Sequence, residues 1–281
     1  MIKLIKIIKN KIVDSGREYL QILLLFISFM FPLFVNMSEI IRTILGGQKP
    51  NFDNAKYYYL MLSGNNVIGL LFVLYVLFNF IRKVNKETIL NKGNVYHNHT
   101  YAWYWFCSKI LGYDKCNLVL VPIQMQFKLV VRDTFKEYPF FENMFPNEDC
   151  CQVQVTKKSV DNHCNEFTLI IEDTYPIKEK QIPEKYLNIP LIKLTRSCNT
   201  VGKRVYNEKF IDAIVQEIRL LPEDSIINIF ATTNPKNTYE IAKKGLFLAE
   251  RSNIIMVNVF QQEGSGERLF KDKPYTVINR K

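Results

Sequence analysis

Two long stretches of the chain contain only apolar and uncharged residues, and apolar runs alternate with amphipathic stretches after them. No charged residue lies between Tyr19 and Ser38 or between Tyr57 and Ile81. Each stretch is long enough for an α-helix that crosses the hydrocarbon core of a bilayer, which needs about 20 residues. The pattern therefore predicts transmembrane helices over residues 19 to 38 and 57 to 81, joined by an external loop over residues 39 to 56.

A cleaved signal peptide is the alternative for the first apolar stretch, because a basic segment precedes it. No small-residue cleavage pattern follows the stretch, and the chain continues VNMSEIIR. An uncleaved helix is therefore the prediction.

The distribution of basic residues predicts the orientation of this hairpin. The arm of residues 1 to 18 holds five Lys or Arg residues, the connector of residues 82 to 94 holds four, and the loop between the helices holds three. Cytoplasmic flanks are enriched in Lys and Arg, so both termini are predicted to lie in the cytoplasm, with the hairpin in the inner (plasma) membrane. The loop segment IIRTIL fits either a short amphipathic turn at the outer interface or a disordered loop.

Uncharged polar residues occur within the predicted spans, and Pro32 is expected to interrupt the first helix. Amide side chains in lipid need partners, so they join neighbouring helices or line a polar seam in an oligomeric pore. The spans hold no Asp, Glu, Lys or Arg, which argues against a proton relay or an ion-coupled transporter. The candidates for such a seam are Ser63, Asn65, Asn66 and Asn79.

Residues 95 to 281 are predicted to form a cytoplasmic domain. Its first segment, VYHNHTYAWYWFCSKILGY, fits a helix that covers a sheet or an amphipathic helix near the lipid headgroups. The apolar runs NLVLVPIQMQ and FKLVVRDTF and the alternating CQVQVT predict a β-rich region over residues 115 to 165.

Strand and helix patterns alternate regularly from Phe167 onward. The runs FTLIIED, IPLIKLTR, SIINIFATT and NIIMVNVFQQ are typical of buried strands, while NEKFIDAIVQEIRLL and PKNTYEIAKKGLFLAERS are typical of helices. Continuous Ile, Val and Leu strands separated by helices predict a largely parallel sheet covered on both faces. The fold class is thus a two-helix transmembrane hairpin followed by a cytoplasmic α/β domain.

Polar residues follow the predicted strands, and in parallel sheets ligands bind beyond the carboxyl ends of the strands. The segment TTNPK precedes a helix, where free N–H groups favour an anion, although simple capping of that helix explains the same residues. We expect a phosphate or carboxylate site at this edge. Its candidate residues are Asp173, Thr174, Arg196, Ser197, Arg204, Thr232, Thr233, Asn234 and Lys236.

The net charge of +10 points to an anionic partner, and its location decides which one. Residues 1 to 92 carry 12 basic and 5 acidic residues, a net charge of +7, whereas residues 93 to 281 carry 25 and 22, a net charge of +3. The excess thus flanks the apolar helices. We expect the lipid bilayer as the partner and no direct binding of nucleic acid.

Common catalytic and metal-binding motifs are absent from the sequence, including G-x-G-x-x-G, the P-loop, G-x-S-x-G and H-E-x-x-H. Cys150, Cys151, His163 and Cys164 do not have the spacing of a zinc site. All six cysteines are expected to be free thiols. We predict neither metal nor cofactor. The absence of these motifs favours a protein that is not an enzyme but leaves the question open.

The order of these parts resembles two-transmembrane effectors of prokaryotic antiviral systems, such as those of retrons and of cyclic-oligonucleotide signalling. The resemblance implies a cytoplasmic domain that receives a nucleotide second messenger or a protein partner of the defence system, and a hairpin that oligomerises and disrupts the membrane. Two alternatives remain open. One is a membrane-tethered nucleotide-processing enzyme with Asp173 as its base, and the other is a non-catalytic anchor or assembly subunit.

Overall fold

The computed structural model describes residues 2 to 148, 152 to 158, 165 to 197, 204 to 247, 253 to 264 and 266 to 280. The chain divides into two compact units. The hairpin unit comprises Met1–Val95 and Trp105–Cys116, and the α/β unit comprises Tyr96–Tyr104 and Asn117–Lys281. The segment Trp105–Cys116 therefore groups with the hairpin, although it follows the connector in sequence.

Long helices dominate the hairpin unit. Helix α1 spans Ile2–Phe34, α2 spans Met37–Leu45 and α3 spans Ala55–Val76; α3 continues through a π-helical turn, Leu77–Ile81, into α4, Arg82–Lys86. Asp14–Phe34 and Ala55–Lys86 are long and apolar enough to cross a membrane, so this is a membrane protein with an α/β unit, as the sequence predicted.

The remaining elements of the hairpin unit are short. Strand β1, Ile89–Leu90, pairs in parallel with β2, Lys115–Cys116. The π-helical turn at Phe106–Ile110 also belongs to this unit. The helix that precedes it in the aromatic segment, α5 at Tyr101–Trp105, lies in the α/β unit except for Trp105. Of the cysteines that the structure describes, Cys107 and Cys116 are buried free thiols; Cys150, Cys151, Cys164 and Cys198 lie outside the described residues, as does His163.

The expected interruption of the first helix at Pro32 is wrong. Helix α1 runs through Pro32 to Phe34, and its backbone departs from helical geometry at Ser15 instead. Pro32 lies in the last turn, so its missing N–H and its ring disturb only the end of the helix. The loop segment IIRTIL belongs to α2, which Gly46 ends in the left-handed conformation with φ 54°.

A glycine allows α1 and α3 to approach closely. A Cβ atom built on Gly69 would lie 2.6 Å from the carbonyl oxygen of Phe29. Small residues at such contacts let helix backbones pack directly in lipid.

The α/β unit contains a six-stranded sheet in the order β3-β5-β4-β6-β7-β8 among the described residues. Strands β4, β5, β6 and β7 are parallel, and the edge strands β3 and β8 are antiparallel to their neighbours. This confirms the largely parallel sheet. The strands span Gln152–Lys158 (β3), Glu166–Glu172 (β4), Leu191–Ser197 (β5), Ser225–Ala231 (β6), Ile254–Val259 (β7) and Tyr275–Asn279 (β8).

The buried residues of α7, Glu208–Arg219, form a stripe with helical spacing. Asn207 caps this helix, because its side chain accepts a hydrogen bond from the backbone N–H of Phe210. Helix α8, Pro235–Ile241, continues as a π-helical turn over Ala242–Phe247.

A largely aromatic cluster packs against the sheet and includes Ile170 of β4. The rings of Phe230 and Phe260 stack with centroids 4.3 Å apart, and Tyr186 lies against both. Tyr186 belongs to a 3₁₀ turn, Glu184–Tyr186, in the connection from β4 to β5. A second 3₁₀ turn in that connection spans Glu179–Gln181, and a third lies at Glu142–Met144.

The prediction of β-rich structure between residues 117 and 135 is wrong. Ile123–Val131 forms helix α6, which begins after Pro122 and packs against α8, β7 and β8. The apolar runs of this region predicted strands, yet they form a helix in which Gln124 and Gln126 are buried together with Phe127 and Leu129. A short apolar run is compatible with a buried strand or a buried helix, so its composition did not distinguish the two.

Candidate functional site

The carboxyl ends of the parallel strands lie at one edge of the sheet, as parallel pairing requires. Glu172 of β4 is in register with Thr195 of β5, and Ile171 of β4 is in register with Ala231 of β6. Residues that follow these positions are thereby brought together from distant parts of the sequence.

Asp173 is the centre of a buried polar network at this edge. Its Oδ1 accepts a hydrogen bond from Nε of Arg196 at 2.8 Å, and the two side chains are 0% and 1% exposed. Its Oδ2 accepts from the backbone N–H of Asn234 at 3.1 Å, from Nδ2 of Asn234 at 3.0 Å and from Nδ2 of Asn237 at 2.9 Å. Burial raises the pKa of Asp173, while the Asn234 N–H and the Arg196 guanidinium oppose that shift.

Two further predicted residues join the ends of β4 and β6 directly. The hydroxyl of Thr174 donates to the carbonyl of Thr232, and the hydroxyl of Thr232 donates to the carbonyl of Tyr175 at 2.7 Å. The Asn234 side chain accepts from the backbone N–H groups of Lys236 and Asn237, at 3.0 Å each. Asn234 therefore caps α8, and these residues hold the strand ends to one another.

The remaining predicted residues are more accessible. Ser197 and Arg204 are exposed, while Thr233 and Lys236 are half-buried. The Thr233 hydroxyl lies 2.7 Å from that of Thr238. Nζ of Lys236 lies 4.2 Å from the ring centroid of Tyr206, a cation–π contact.

A cavity of about 710 Å³ opens in the α/β unit where the chain leaves β7. Its wall includes Gln261, Arg268 and Lys271 from the loop between β7 and β8. Tyr96, Gln124 of α6 and Tyr275 of β8 line it as well. Volumes of about 300 to 1,000 Å³ are usual for small-molecule sites.

Backbone hydrogen bonds hold the loop that forms this wall. The N–H of Glu263 donates to the carbonyl of Leu269 at 2.9 Å, and the N–H of Lys271 donates to the carbonyl of Gln261 at 3.1 Å. The Arg268 guanidinium lies 5.0 Å from the ring centroid of Tyr175, which follows β4. The cavity and the Asp173 network thus belong to the same edge of the sheet.

Hydrogen bonds join the predicted polar seam of the hairpin only in part. Asn65 Oδ1 accepts from the backbone N–H and the hydroxyl of Ser38, at 2.8 and 2.9 Å, and its Nδ2 donates to Asn36 Oδ1 at 2.9 Å. Asn65 therefore joins α3 to the start of α2 and the residue before it. In contrast, Ser63 and Asn79 donate to carbonyls of their own helix, and both are exposed, as is Asn66.

Sequence reasoning missed a second polar group in the hairpin unit. This group, called the basal cluster below, comprises Glu18, Gln21, Arg82, Asn85 and Tyr113. The Tyr113 hydroxyl donates to Glu18 at 2.6 Å, Asn85 exchanges hydrogen bonds with Gln21, and Arg82 donates to the carbonyls of Lys109 and Ile110. Burial and the Glu18 carboxylate together raise the pKa of Tyr113. A polar residue within the first apolar stretch, Gln21, was the signal available in the sequence.

The structure thus combines a hairpin of two apolar, membrane-length helices with an α/β unit that has an open cavity at its strand ends. The chain belongs to the family described as the SMODS- and Ubiquitin system-associated 2TM effector domain, whose model matches residues 3 to 278. This confirms the resemblance to two-transmembrane effectors of prokaryotic antiviral systems.

No curated protein matches the sequence. Among solved structures, the chain is similar to the Acinetobacter baumannii Cap4 SAVED/CARF-domain containing receptor, determined with the cyclic trinucleotide 3'3'3'-cAAA. The TM-score is 0.37 at 8% sequence identity, and the match covers 63% of this chain and 42% of the receptor chain. The match therefore spans less than half of the receptor's length.

Proposed function

We propose that this protein is an antiviral effector of the inner membrane, whose α/β unit senses a nucleotide signal or a protein partner and whose hairpin then oligomerises and disrupts the membrane. The observation that carries the proposal is the combination, in one member of an effector family, of two apolar spans and a cavity at the carboxyl edge of a parallel sheet.

The carboxyl edge is the place where the signal is received. The chain leaves β4 toward β5 and leaves β6 toward β7, so the adjacent ends of β4 and β6 form a topological switch point. Asp173, Thr174, Arg196, Thr232 and Asn234 hold the strand ends together. Ser197, Arg204, Thr233 and Lys236 stay accessible to a ligand.

Exposed amides on the second span support the proposed oligomer. Asn66 and Asn79 lie on a helix whose surroundings are hydrocarbon once it spans the bilayer. Amides in that environment favour partners on other helices over exposure to lipid. Asn79 also lies in the π-helical turn Leu77–Ile81, and such turns are frequent at functional sites.

Basic residues support the proposed orientation. Lys83 and Lys86 are exposed on α4, directly after the second span. Anionic lipids of the cytoplasmic leaflet attract such residues, each contributing about 1 kcal/mol near the surface. Both termini would then lie in the cytoplasm.

A measurement of membrane potential in bacteria tests the proposal. Induced expression of the activated full-length protein should depolarise the cells, and a potential-sensitive dye measures that change. The substitution Asn79→Leu should reduce the depolarisation at least about tenfold if interhelical amide bonds of about 1 to 2 kcal/mol per contact assemble the oligomer. Insertion should not change, because leucine is more favourable in lipid than asparagine.

The conservative variant Asn79→Gln keeps an amide and should retain most of the activity. Leu62→Ile, at an exposed apolar position of the same helix, is the matched control. A correctly inserted protein that causes no depolarisation in any activated state would instead fit the passive anchor.

A further inference from the structure

The cavity beside β7 combines three kinds of recognition group. It presents two cations, two aromatic rings with hydroxyl groups, and four amide side chains. Arg268 and Lys271 provide the cations, and both residues are exposed.

Two buried amide carbonyl oxygens at the cavity have no hydrogen-bond donor in the part of the chain that the structure describes. Neither Oε1 of Gln124 nor Oε1 of Gln261 accepts a hydrogen bond from the described residues. Gln124 is 8% exposed, and a buried acceptor without a donor is costly. Nε2 of Gln261 donates to the carbonyl of Gln262 at 3.1 Å, which fixes the direction of that amide.

Gln124 lies in helix α6, in a segment for which an apolar run predicted β structure. Positions at which local patterning and the fold disagree are expected to be functional or strained. Gln126 of the same helix also has an unpaired Oε1 among the described residues, but Gln124 is the one whose side chain lines the cavity.

We infer that this cavity binds a cyclic oligonucleotide whose bases carry exocyclic amino groups, with Arg268 and Lys271 on its phosphates and Gln124 and Gln261 accepting from its bases. This inference rests on the proposed function and names the nucleotide-binding site within it.

Each group has a matching partner in such a ligand. The amino groups of adenine and cytosine donate hydrogen bonds, and glutamine is a usual partner of adenine, whereas uracil has no amino group to donate. Phosphates favour Arg and Lys, and the rings of Tyr96 and Tyr275 offer stacking surfaces. Glu263, which also lines the cavity, is an acceptor suited to a ribose hydroxyl.

The ionisation of the lining agrees with this assignment. Burial raises the pKa of Tyr96, and the neighbouring Tyr275 adds to the shift. The Tyr96 hydroxyl is therefore neutral at physiological pH and does not repel a phosphate.

Binding to the purified full-length protein in detergent tests the inference. The probes are cyclic di- and trinucleotides built from adenine, cytosine, guanine or uracil, compared by thermal shift and calorimetry. We expect at least one ring with amino-bearing bases to bind, and the all-uracil rings to bind at least about tenfold more weakly, because they leave the Gln124 and Gln261 oxygens unpaired.

Substitutions in the cavity separate recognition from folding. Gln124→Leu should weaken binding about tenfold or more, while the ligand-free protein melts at the same or a higher temperature because an unpaired buried carbonyl is gone. Arg268→Ala and Lys271→Ala should weaken binding and reduce its dependence on salt. Arg219→Ala and Gln216→Leu, exposed positions of α7, are the matched controls and should bind as the wild type does.

Two outcomes would overturn the inference. One is a wild-type protein that binds none of the rings. The other is binding that survives every cavity substitution and is lost in Lys236→Ala or Arg204→Ala, which would place the ligand at the other end of the edge. Either result leaves the depolarisation experiment to decide the proposed function separately.

Discussion

The contact between Asp173 and Arg196 ties three strand ends together through one carboxylate. Both side chains are almost wholly inaccessible, and amide groups of Asn234 and Asn237 complete the coordination of the carboxylate. Both carboxylate oxygens of Asp173 are thus hydrogen-bonded to other groups of the protein. Asp173 is for this reason a structural residue of the edge and a poor candidate for a catalytic base.

Asp173→Asn should therefore destabilise the α/β unit. The substitution removes the closer carboxylate of the buried Arg196 charge and leaves the Glu148 carboxylate, 3.5 Å from its Nη1. Removal of one charge from comparable buried pairs costs about 3 to 5 kcal/mol. Thermal unfolding of the full-length protein in detergent measures the loss. Glu267→Gln, which removes the exposed ion pair between Glu267 and Lys180, is the control and should leave the melting temperature unchanged. Equal changes in melting temperature for the two variants would contradict the structural role of Asp173.

At the scale of elements, continuous apolar runs made the parallel strands predictable. Strands β4 and β6 are almost wholly buried, so their composition alone identified them. Helix α6 was not predictable, because a short apolar run fits a buried helix as well as a buried strand. The cavity was not predictable either, since its wall comes from three separated segments around Tyr96, Gln124 and residues 261 to 275.

The candidate residues were predictable as a group but not in their roles. Strand ends converge in any parallel sheet, so Asp173, Arg196 and Asn234 could be expected to meet. Which of them would be buried depends on side-chain packing between β4, β5 and α8. That packing involves segments far apart in the chain and cannot be predicted from local sequence.

The packing of α1 on α3 gives a prediction at this scale. Gly69→Ala should separate the two helices, because the added methyl group would lie 2.6 Å from the backbone carbonyl of Phe29. Cysteine pairs placed on facing positions of α1 and α3 should then cross-link less efficiently than in the wild-type background. Gly47→Ala is the control. A Cβ atom at Gly47 would meet no neighbouring atom, and the left-handed φ of 74° means that the substitution strains only the loop backbone. Unchanged cross-linking in the Gly69 variant would show that the helices do not pack through this glycine.

At the scale of the whole molecule, membrane orientation is the property that matters most for an effector. Phe52 is 99% exposed in the loop between the spans. A Phe52→Cys variant should react with a membrane-impermeant maleimide added to intact cells. The native cysteines all follow the second span, so the wild-type protein should react only after the membrane is permeabilised. Labelling of the wild-type protein in intact cells would contradict the proposed orientation and indicate the opposite one.

The basal cluster has a mechanical consequence. Tyr113 is bonded to Glu18 of α1, while the carbonyl of Leu111 accepts from Asn85 of α4, at 2.6 and 2.8 Å. The segment between Trp105 and Cys116 is therefore hydrogen-bonded to both spans, although in sequence it follows only the second. A displacement of this segment therefore acts on both spans together and not on the second span alone.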